Sequence, residues 1–376
     1  MANTIRQDLQ TMFTAGVDAV SGFSATRNAV AQMADFQPDQ IVAVGKAASG
    51  MCAGALDALA KPCPALLVTK YQHTDQVMHD HSQVTVMEAA HPVPDEQSLA
   101  AGQAALDTVA GMPSGSRLLL LVSGGTSALA ESLPADMSLQ QWQALTSEML
   151  AAGYNIGQIN TRRKETSLIK DGKLLAAFNG AEVRVLAISD VEGDDISVIG
   201  SGTGDTHRAT ATASVSLIGT NQVARDAVEA KAISMGFTVK MNRECMYQDV
   251  NQLAANLADE LLDASPGVYI FGGEPTVELP ENPGSGGRNQ ALALGLAKCI
   301  RGRHDIHVLV AGTDGSDGPT DAAGGIVDGK TVTDVAVARD ALQRADAGTY
   351  LRDCGDIFIT GPTNTNVMDL AIAVVS

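Results

Sequence analysis

Short apolar runs alternate with longer amphipathic stretches along the whole chain. Consecutive apolar residues bounded by glycine or polar residues are typical of buried strands, and they occur at residues 41–44, 65–69, 84–90, 117–122, 183–188, 215–217, 237–241, 267–271, 306–310 and 356–360. Apolar residues recur at helical spacing at residues 4–20, 22–34, 95–110, 138–152, 221–235, 249–264 and 334–345. Strands that alternate with helices predict an α/β fold.

Several strands end in a glycine-rich loop that leads into a helix. This unit recurs at Gly45, Gly124, Gly272 and Gly312. The small, polar segment 201–210 is typical of a linker or domain edge. The sequence therefore predicts two α/β domains, residues 1–208 and 209–376, with their glycine loops facing one cleft.

Composition and charge restrict the class of partner. The chain has 376 residues, enough for two cores, and a formal net charge of -18. Nucleic acids and anionic membranes require a basic surface, so neither is an expected partner. An acidic protein that binds an anionic substrate must concentrate its few cations in one place.

The cysteines and the N-terminus indicate a reduced, cytoplasmic setting. The five cysteines are widely spaced and form no C-x-x-C pair, so neither a disulfide framework nor a structural zinc site is expected. The first residues contain no apolar signal core, and the longest apolar run, near residues 118–122, is too short to span a bilayer.

The stretch 271–297 carries the clearest candidate chemistry. The glycines Gly284, Gly286 and Gly287 precede a leucine- and alanine-rich helix that begins near Arg288. Glycines let backbone N–H groups close around an oxyanion, and the first turn of a helix has unpaired amides. The planar guanidinium of Arg288 suits a phosphate or carboxylate. The alternative is a simple turn followed by a solvated arginine.

Two further glycine loops are candidate anion sites. Lys46 follows Gly45 at a strand's carboxyl end, where its ammonium group can reach a ligand crevice or lie on the surface. Neither nucleotide fingerprint, G-x-G-x-x-G or G-x-x-x-x-G-K-[ST], is met there. The loop Ser123-Gly124-Gly125 adds hydroxyl donors and is the better cradle for an anion.

Charged side chains at two other places are candidates for function. The cations Arg162, Arg163 and Lys164 lie at a predicted helix start, either as a solvated face or in a functional role. Asp190 ends the strand 183–188, where a carboxylate can hold Mg²⁺ or accept a hydroxyl proton; helix capping by its neighbours is the alternative.

Aspartates also follow the strand at 306–310. Asp314, Asp317 and Asp321 lie among glycines and suggest a cation site or a nest for polar substrate groups, with turn formation as the alternative. His91, beside Pro92, is either a ligand contact or structural.

Taken together, these segments resemble the glycerate 2-kinases, the class II, MOFRL-type glycerate kinases often labelled hydroxypyruvate reductases. The shared segments, in the family's order, are GKAASGM, EAAHPVPDEQS, SGGTSAL, the R-R-K…S…K-D-G run of residues 162–172, SDVEGDD, GGEPTVEL, GSGGRNQALAL, GTDGSDGPTDAAG and TGPTNTNV. They cover essentially the whole chain.

The resemblance implies ATP- and Mg²⁺-dependent phosphorylation of D-glycerate at its 2-hydroxyl. It implies a Rossmann-like α/β/α N-terminal domain of DUF4147 type, a smaller MOFRL-type α/β C-terminal domain, and an active site in the cleft between them. Lys46 and Arg288 match the family's probable catalytic cations. Asp190 is a hypothetical proton acceptor. Asp190 and Asp314 are candidate magnesium ligands, and the chain is expected to be a monomer or a homodimer.

The remaining candidates for nucleotide or substrate binding lie in the same motifs. They are Gly45, Ser123, Gly124, Gly125, Lys164, Glu274, Gly286, Gly287, Asn289, Asp314 and Asp317.

Departures from the family pattern leave the substrate open. Glu165 stands where the family usually has histidine, Ser285 where it has lysine, and Pro275 where it has threonine. The first two changes remove positive potential. A kinase for another small hydroxy or sugar acid and a non-catalytic sugar-acid-binding homologue are therefore alternatives. A hydride-transferring reductase lacks its dinucleotide fingerprint here.

Overall fold

The computed structural model describes residues 2–74, 76–152, 154 and 156–376. The chain forms two compact units. The unit that we call the N-terminal unit comprises Val20–Thr220 and Asn364–Asn366, and the C-terminal unit comprises Met1–Ala19, Asn221–Thr363 and Val367–Ser376. Each unit has its own sheet and its own apolar core.

Strands and helices alternate along the chain. The strands are β1 Gln40–Val44, β2 Ala65–Lys70, β3 Val84–Ala89, β4 Arg117–Val122, β5 Glu182–Ile188, β6 Thr212–Gly219, β7 Val239–Met246, β8 Gly267–Gly273, β9 Ile306–Gly312, β10 Gly324–Asp328, β11 Ile357–Phe358 and β12 Asp369–Val375. The helices are α1 Ala2–Ala19, α2 Gly22–Ala31, α3 Ala48–Ala58, α4 Gln76–His79, α5 Glu96–Ala110, α6 Thr126–Leu129, α7 Leu139–Ala151, α8 Ile156–Thr166, α9 Lys173–Ala176, α10 Asn221–Ser234, α11 Val250–Leu262, α12 Arg288–Cys299, α13 Val335–Gln343 and α14 Ala347–Asp353. The predicted α/β class is confirmed.

The sheet of the N-terminal unit is fully parallel, with the strand order β3-β2-β1-β4-β5-β6. This is the Rossmann order, and the direction of strand addition reverses between β1 and β4. Open α/β sheets bind ligands in the crevice at such a switch point, outside the carboxyl ends of the strands. The loops that follow β1 and β4 are those at Gly45 and Ser123.

The central strands of this sheet are buried on both faces. Leu118–Val122 are fully buried, which explains why β4 reads as a continuous apolar run instead of an alternating one. On one face, Val42, Leu120 and Val185 pack with Ala101 and Ala105 of α5 in a single apolar cluster. Small alanines at these helix positions allow close packing of α5 on the sheet.

The sheet of the C-terminal unit is mixed, with the strand order β11-β10-β9-β12-β8-β7. Only β7 and β8 pair in parallel, and the other neighbours are antiparallel. Strand β12 lies between β8 and β9 and is buried along its whole length. The sequence pattern predicted neither β10 nor β12, whose pairings join segments far apart in the chain.

The division of the chain differs from the predicted domains. Helix α1 packs on α10, β9 and β12 of the C-terminal unit. The Phe13 ring meets the Phe358 ring edge to face at 5.4 Å, and Arg6 Nη1 lies 2.7 Å from Asp356 Oδ1. Strand β6 extends to Gly219 and pairs with β5, so the N-terminal unit continues past the predicted boundary at residue 208. Among the described helices, none has both the length and the apolar character needed to cross a bilayer.

Candidate functional site

The loops after β1 and β4 interlock at the switch point of the parallel sheet. The Lys46 N–H donates to the Gly124 carbonyl at 2.9 Å, and the Ala47 N–H donates to Ser123 Oγ at 3.1 Å. Gly45 has a φ of +133°, and a Cβ placed on it would lie 2.2 Å from Ser123 Oγ. Only glycine allows this approach. The sequence prediction that Gly45, Lys46 and Ser123 belong to loops at strand ends is therefore confirmed in geometry.

Asp190 lies directly against this pair of loops. A Cβ on Gly124 would lie 1.9 Å from Asp190 Oδ2, so the carboxylate packs on the glycine backbone. The same oxygen accepts a hydrogen bond from Asn366 Nδ2 at 3.2 Å. Within the described residues, neither the Gly124 N–H nor the Gly125 N–H donates a hydrogen bond. Free amides in a glycine turn are suited to bind an anionic oxygen.

Lys46 and His91 flank Gly125. A Cβ on Gly125, which has a φ of +86°, would lie 3.1 Å from Lys46 Cγ and 3.2 Å from His91 Cδ2. Lys46 is half-buried and forms no ion pair with any carboxylate among the described residues.

His91 is neutral at pH 7. Burial, the largest cause, and the charges of Lys46, Lys70, His73 and Arg163 together lower the pKa of His91 to about 4. Two lysines and one arginine are among the groups that act on this imidazole, in a chain of net charge -18.

The basic run lies at the end of a helix. Arg163 and Lys164 are in the last turn of α8, which begins at Ile156, so the prediction of a helix start was wrong. Cations are favoured at this end by the helix macrodipole. Arg162 Nη1 is 3.0 Å from Glu165 Oε2, and both side chains are exposed. The half-buried Lys164 forms no ion pair within the described part of the chain.

Arg288 is the first residue of α12 in the C-terminal unit. Its Nε lies 2.6 Å from Asp369 Oδ2 and its Nη2 lies 3.2 Å from Asp369 Oδ1. Its Nη1 lies 3.0 Å from Glu274 Oε1. The side chain remains 34% exposed, so part of the guanidinium faces solvent. Burial lowers the pKa of Arg288, but the charge of Asp369, its hydrogen bond and the charge of Glu274 raise it further, so the net pKa lies above its usual range.

At the start of α12, backbone amides bind a carboxylate of the same unit. The Asn289 N–H donates to Asp317 Oδ1 at 3.0 Å, and the Gln290 N–H donates to Asp317 Oδ2 at 2.8 Å. A Cβ on Gly287 would lie 2.3 Å from Asp317 Oδ1. Asp317 therefore already takes up the amides of Asn289 and Gln290, and a role for Gly286 and Gly287 in binding a ligand stays a prediction.

The pKa of Asp317 lies above the usual range of an aspartate. Its side chain is buried, and burial is the largest cause that raises the pKa of Asp317 to about 6. The two amides of α12 oppose this rise, as does the charge of Arg288, whereas the charge of Asp369 adds to it.

The three aspartates that the sequence grouped together serve separate contacts. Asp314 Oδ1 accepts hydrogen bonds from the Ser316 N–H and Oγ, each at 2.9 Å, and so closes a turn. Asp321 pairs with Arg352. Over the residues that the structure describes, no group of three or more His, Cys, Asp or Glu side chains is arranged to hold a metal ion. The predicted three-aspartate cation site is not formed.

Sequence reasoning missed two residues of these regions. Asn366 contacts Asp190 from a short segment, 364–366, that belongs to the N-terminal unit although it lies near the end of the chain. Asp369 is the first residue of β12, a strand that was not predicted. The asparagine-rich turn at 363–366 was a usable signal for Asn366, whereas nothing local marks Asp369.

A parallel sheet of Rossmann order with glycine loops at its switch point places this chain in the class of open α/β proteins, which bind ligands at that point. The family model described as "Domain of unknown function (DUF4147)" matches residues 8–233, and the MOFRL family model matches residues 267–369. The chain belongs to the family that these two models describe. The resemblance inferred from the sequence motifs is confirmed.

Characterised relatives share most of the chain. D-glycerate 2-kinase of Thermotoga maritima is 35% identical over 89% of this chain and 90% of its own length. Glycerate 2-kinase of Pyrococcus horikoshii is 30% identical over 89% of this chain and 87% of its own length. The crystal structure of glycerate kinase from Thermotoga maritima superimposes with a TM-score of 0.90 at 30% identity, and covers 100% of both chains.

Proposed function

We propose that this chain is a glycerate 2-kinase that transfers the γ-phosphoryl group of ATP to the 2-hydroxyl of D-glycerate. The products are 2-phosphoglycerate and ADP. The observation that carries the proposal lies at the switch point of the parallel sheet, where Lys46 is beside the glycine turn of Gly124 and Gly125. Among the described residues, Lys46 forms no ion pair and the two glycine amides donate no hydrogen bond. The names of the relatives supply the substrate and the reaction.

The proposed chemistry needs little covalent participation by the protein. The hydroxyl oxygen forms a bond to the γ-phosphorus, the bond from that phosphorus to the bridging oxygen of ADP breaks, and the hydroxyl proton passes to Asp190. The transition state spreads negative charge over the phosphoryl oxygens, so positioned cations supply most of the acceleration. Lys46 binds the substrate carboxylate and a phosphate oxygen, and Arg288 stabilises the transferring group.

The residues present fit a magnesium–nucleotide complex. Mg²⁺ bound with nucleotide takes one or two carboxylates together with phosphate oxygens and waters, rather than a cage built by the protein alone. Asp190, at the switch point of the parallel sheet, is a half-buried carboxylate of this kind, and it would hold the ion. When bound, Mg²⁺ neutralises charge on the phosphates.

Glu165 does not oppose this assignment. A carboxylate in place of the family's histidine would repel an anion, but Glu165 is exposed and lies 3.0 Å from Arg162, so the two charges offset each other. Ser285 supplies no charge: its N–H donates to Asp346 Oδ1 at 2.9 Å. The loss of a cation at Ser285 favours the second candidate function, a kinase for a related hydroxy acid.

The test is ADP release with Mg-ATP and D-glycerate, run beside L-glycerate, tartronate and longer sugar acids. The position of the phosphate in the product is read by phosphorus NMR. Turnover on D-glycerate to the 2-phosphate is the expected result. Turnover only on another acid supports the second candidate, and no turnover on any acid contradicts both.

A further inference from the structure

Two adjacent arginines of α8 have opposite environments. Arg162 is exposed and paired with Glu165. Arg163 is half-buried, and within the described residues its guanidinium makes one hydrogen bond, from Nη1 to Asn160 Oδ1 at 3.4 Å, and no ion pair. An arginine has five N–H donors. Most of the hydrogen-bonding capacity of Arg163 is therefore unused.

Two other arginines of limited exposure have carboxylate partners. Arg225 lies 3.2 Å from Glu244, and Arg288 lies 2.6 Å from Asp369. Partial burial of a charge without a partner costs free energy, because the charge loses water and gains no compensating interaction. Burial accordingly lowers the pKa of Arg163. An anionic ligand is the partner that would offset this cost.

Glu131 is not the missing partner. It is the one carboxylate whose charge raises the pKa of Arg163, but its oxygens are engaged elsewhere. Glu131 Oε2 pairs with Lys170, and Oε1 accepts hydrogen bonds from Ser167 Oγ and the Ser132 N–H.

A chain of contacts joins Arg163 to the glycine loop after β4. Asn160 Oδ1, which accepts from Arg163, also accepts from Ser201 Oγ at 3.3 Å, and Ser201 Oγ lies 2.7 Å from Ser127 Oγ. Ser127 is two residues beyond Gly125, the glycine flanked by Lys46 and His91. Arg163 is also among the charges that act on His91.

We propose that Arg163 forms an anion-binding subsite beside Lys46, with Asn160 holding its guanidinium in place. The ligand group is a carboxylate or a phosphate, since both match the planar fork of a guanidinium with two parallel N–H···O bonds. This proposal rests on the proposed function only for the identity of the ligand, which is the carboxylate of the hydroxy acid or a phosphate of the nucleotide.

The test compares Arg163→Met with Arg162→Met in the full chain. Thermal unfolding is measured without ligand, with D-glycerate, with Mg-ADP and with inorganic phosphate. We expect the Arg163→Met variant alone to lose the rise in Tm given by one or more of these probes, while its Tm without ligand is equal to or above that of the wild type. Arg162→Met should keep every ligand response.

Kinetics then distinguish the two sources of the anion. In Arg163→Met, a rise in KM of about 10- to 100-fold for the acid alone assigns the carboxylate, and the same rise for ATP alone assigns a nucleotide phosphate. Arg163→Lys, which keeps the charge without the fork, should recover part of the loss. If Arg163→Met keeps all ligand responses and both KM values, the subsite does not exist.

The outcome separates this proposal from the kinase assignment. If the wild type turns over no acid, but a probe raises the Tm of the wild type and not that of Arg163→Met, the subsite is supported and the proposed function is contradicted. If the wild type and Arg163→Met turn over D-glycerate equally well, the proposed function is supported and the subsite is contradicted. Destabilisation of the ligand-free Arg163→Met variant, with unchanged ligand responses, identifies Arg163 as structural and overturns the proposal.

Discussion

Arg288 and Asp369 form a two-point ion pair in which the carboxylate, not the arginine, is the buried partner. Nε and Nη2 of Arg288 lie 2.6 and 3.2 Å from the two oxygens of Asp369, whose side chain is 1% exposed. The backbone carbonyl of Asp369 accepts from Asn221 Nδ2 at 3.1 Å. The orientation of Arg288 is therefore fixed by a carboxylate that is itself held in the central strand of a sheet.

This pair couples activity to stability. Arg288→Met should lower turnover by about 10³-fold or more, the scale of an arginine that stabilises a transferring phosphoryl group. It should also lower the free energy of unfolding by about 3–5 kcal/mol, because Asp369 then remains buried without its partner. The measurements are ADP release and urea unfolding.

The double variant Arg288→Met with Asp369→Asn is the control for this prediction. Removal of the orphaned charge should recover much of the lost stability and none of the turnover. A double variant as unstable as Arg288→Met would show that the ion pair is not the source of the loss.

Asp317 should make stability depend on pH. Its pKa is raised from 3.8 to about 6, so the folded chain binds a proton more tightly than the unfolded chain. The contribution of Asp317 to the free energy of unfolding should therefore fall by roughly 3 kcal/mol as pH rises from about 4 to about 6. Urea unfolding of the wild type and of Asp317→Asn between pH 4 and pH 7 measures this difference. A constant difference between the two proteins over that range would contradict the assignment.

The Lys46 side chain should contribute to turnover but not to the stability of the fold. Because it has no carboxylate partner in the described part of the chain, Lys46→Met should leave the free energy of unfolding nearly unchanged. We expect turnover to fall by about 10²- to 10³-fold, the scale for loss of one group that stabilises transition-state charge. Thermal unfolding and ADP release check both statements.

The same variant tests the geometry around Gly125. Loss of the Lys46 charge should raise the pKa of His91 above about 4, and the pKa should stay below 6.5 because burial is the larger cause. NMR titration of the His91 imidazole, with Lys61→Met as the matched exposed control, measures the change. An unchanged His91 pKa would mean that Lys46 does not face this imidazole.

The first sheet could be predicted from sequence because its signals are local. Each of its central strands is an uninterrupted apolar run, and the glycine loops at Gly45 and Gly124 mark the two strand ends that meet at the switch point. Parallel strands place their carboxyl ends at one edge, so the association of Lys46 with Ser123 followed from the pattern.

The second sheet and half of the candidate site could not be predicted in this way. Strand β12 is inserted between β8 and β9 by pairings that no local pattern records, and it brings Asp369 to Arg288. The glycines before Arg288 matched an anion site, but the competing anion, Asp317, lies 28 residues along the chain from Asn289, whose N–H donates to it. Spacing in sequence cannot show that such a site is already occupied.

Lys170 and Glu131 provide a last test, of stability alone. Both side chains are fully buried and form an ion pair, and Ser167 Oγ donates to the same carboxylate. Lys170→Met should lower the free energy of unfolding by about 3–5 kcal/mol, because Glu131 is left charged and unpaired in the interior. Adding Glu131→Gln should recover much of this loss, since the neutral amide can still accept from Ser167 and no longer needs a cation. Urea unfolding of the two single variants and the double variant gives the coupling energy. A coupling energy near zero would mean that the two charges are solvated in solution, and that the segment after α8 is held by its backbone contacts instead.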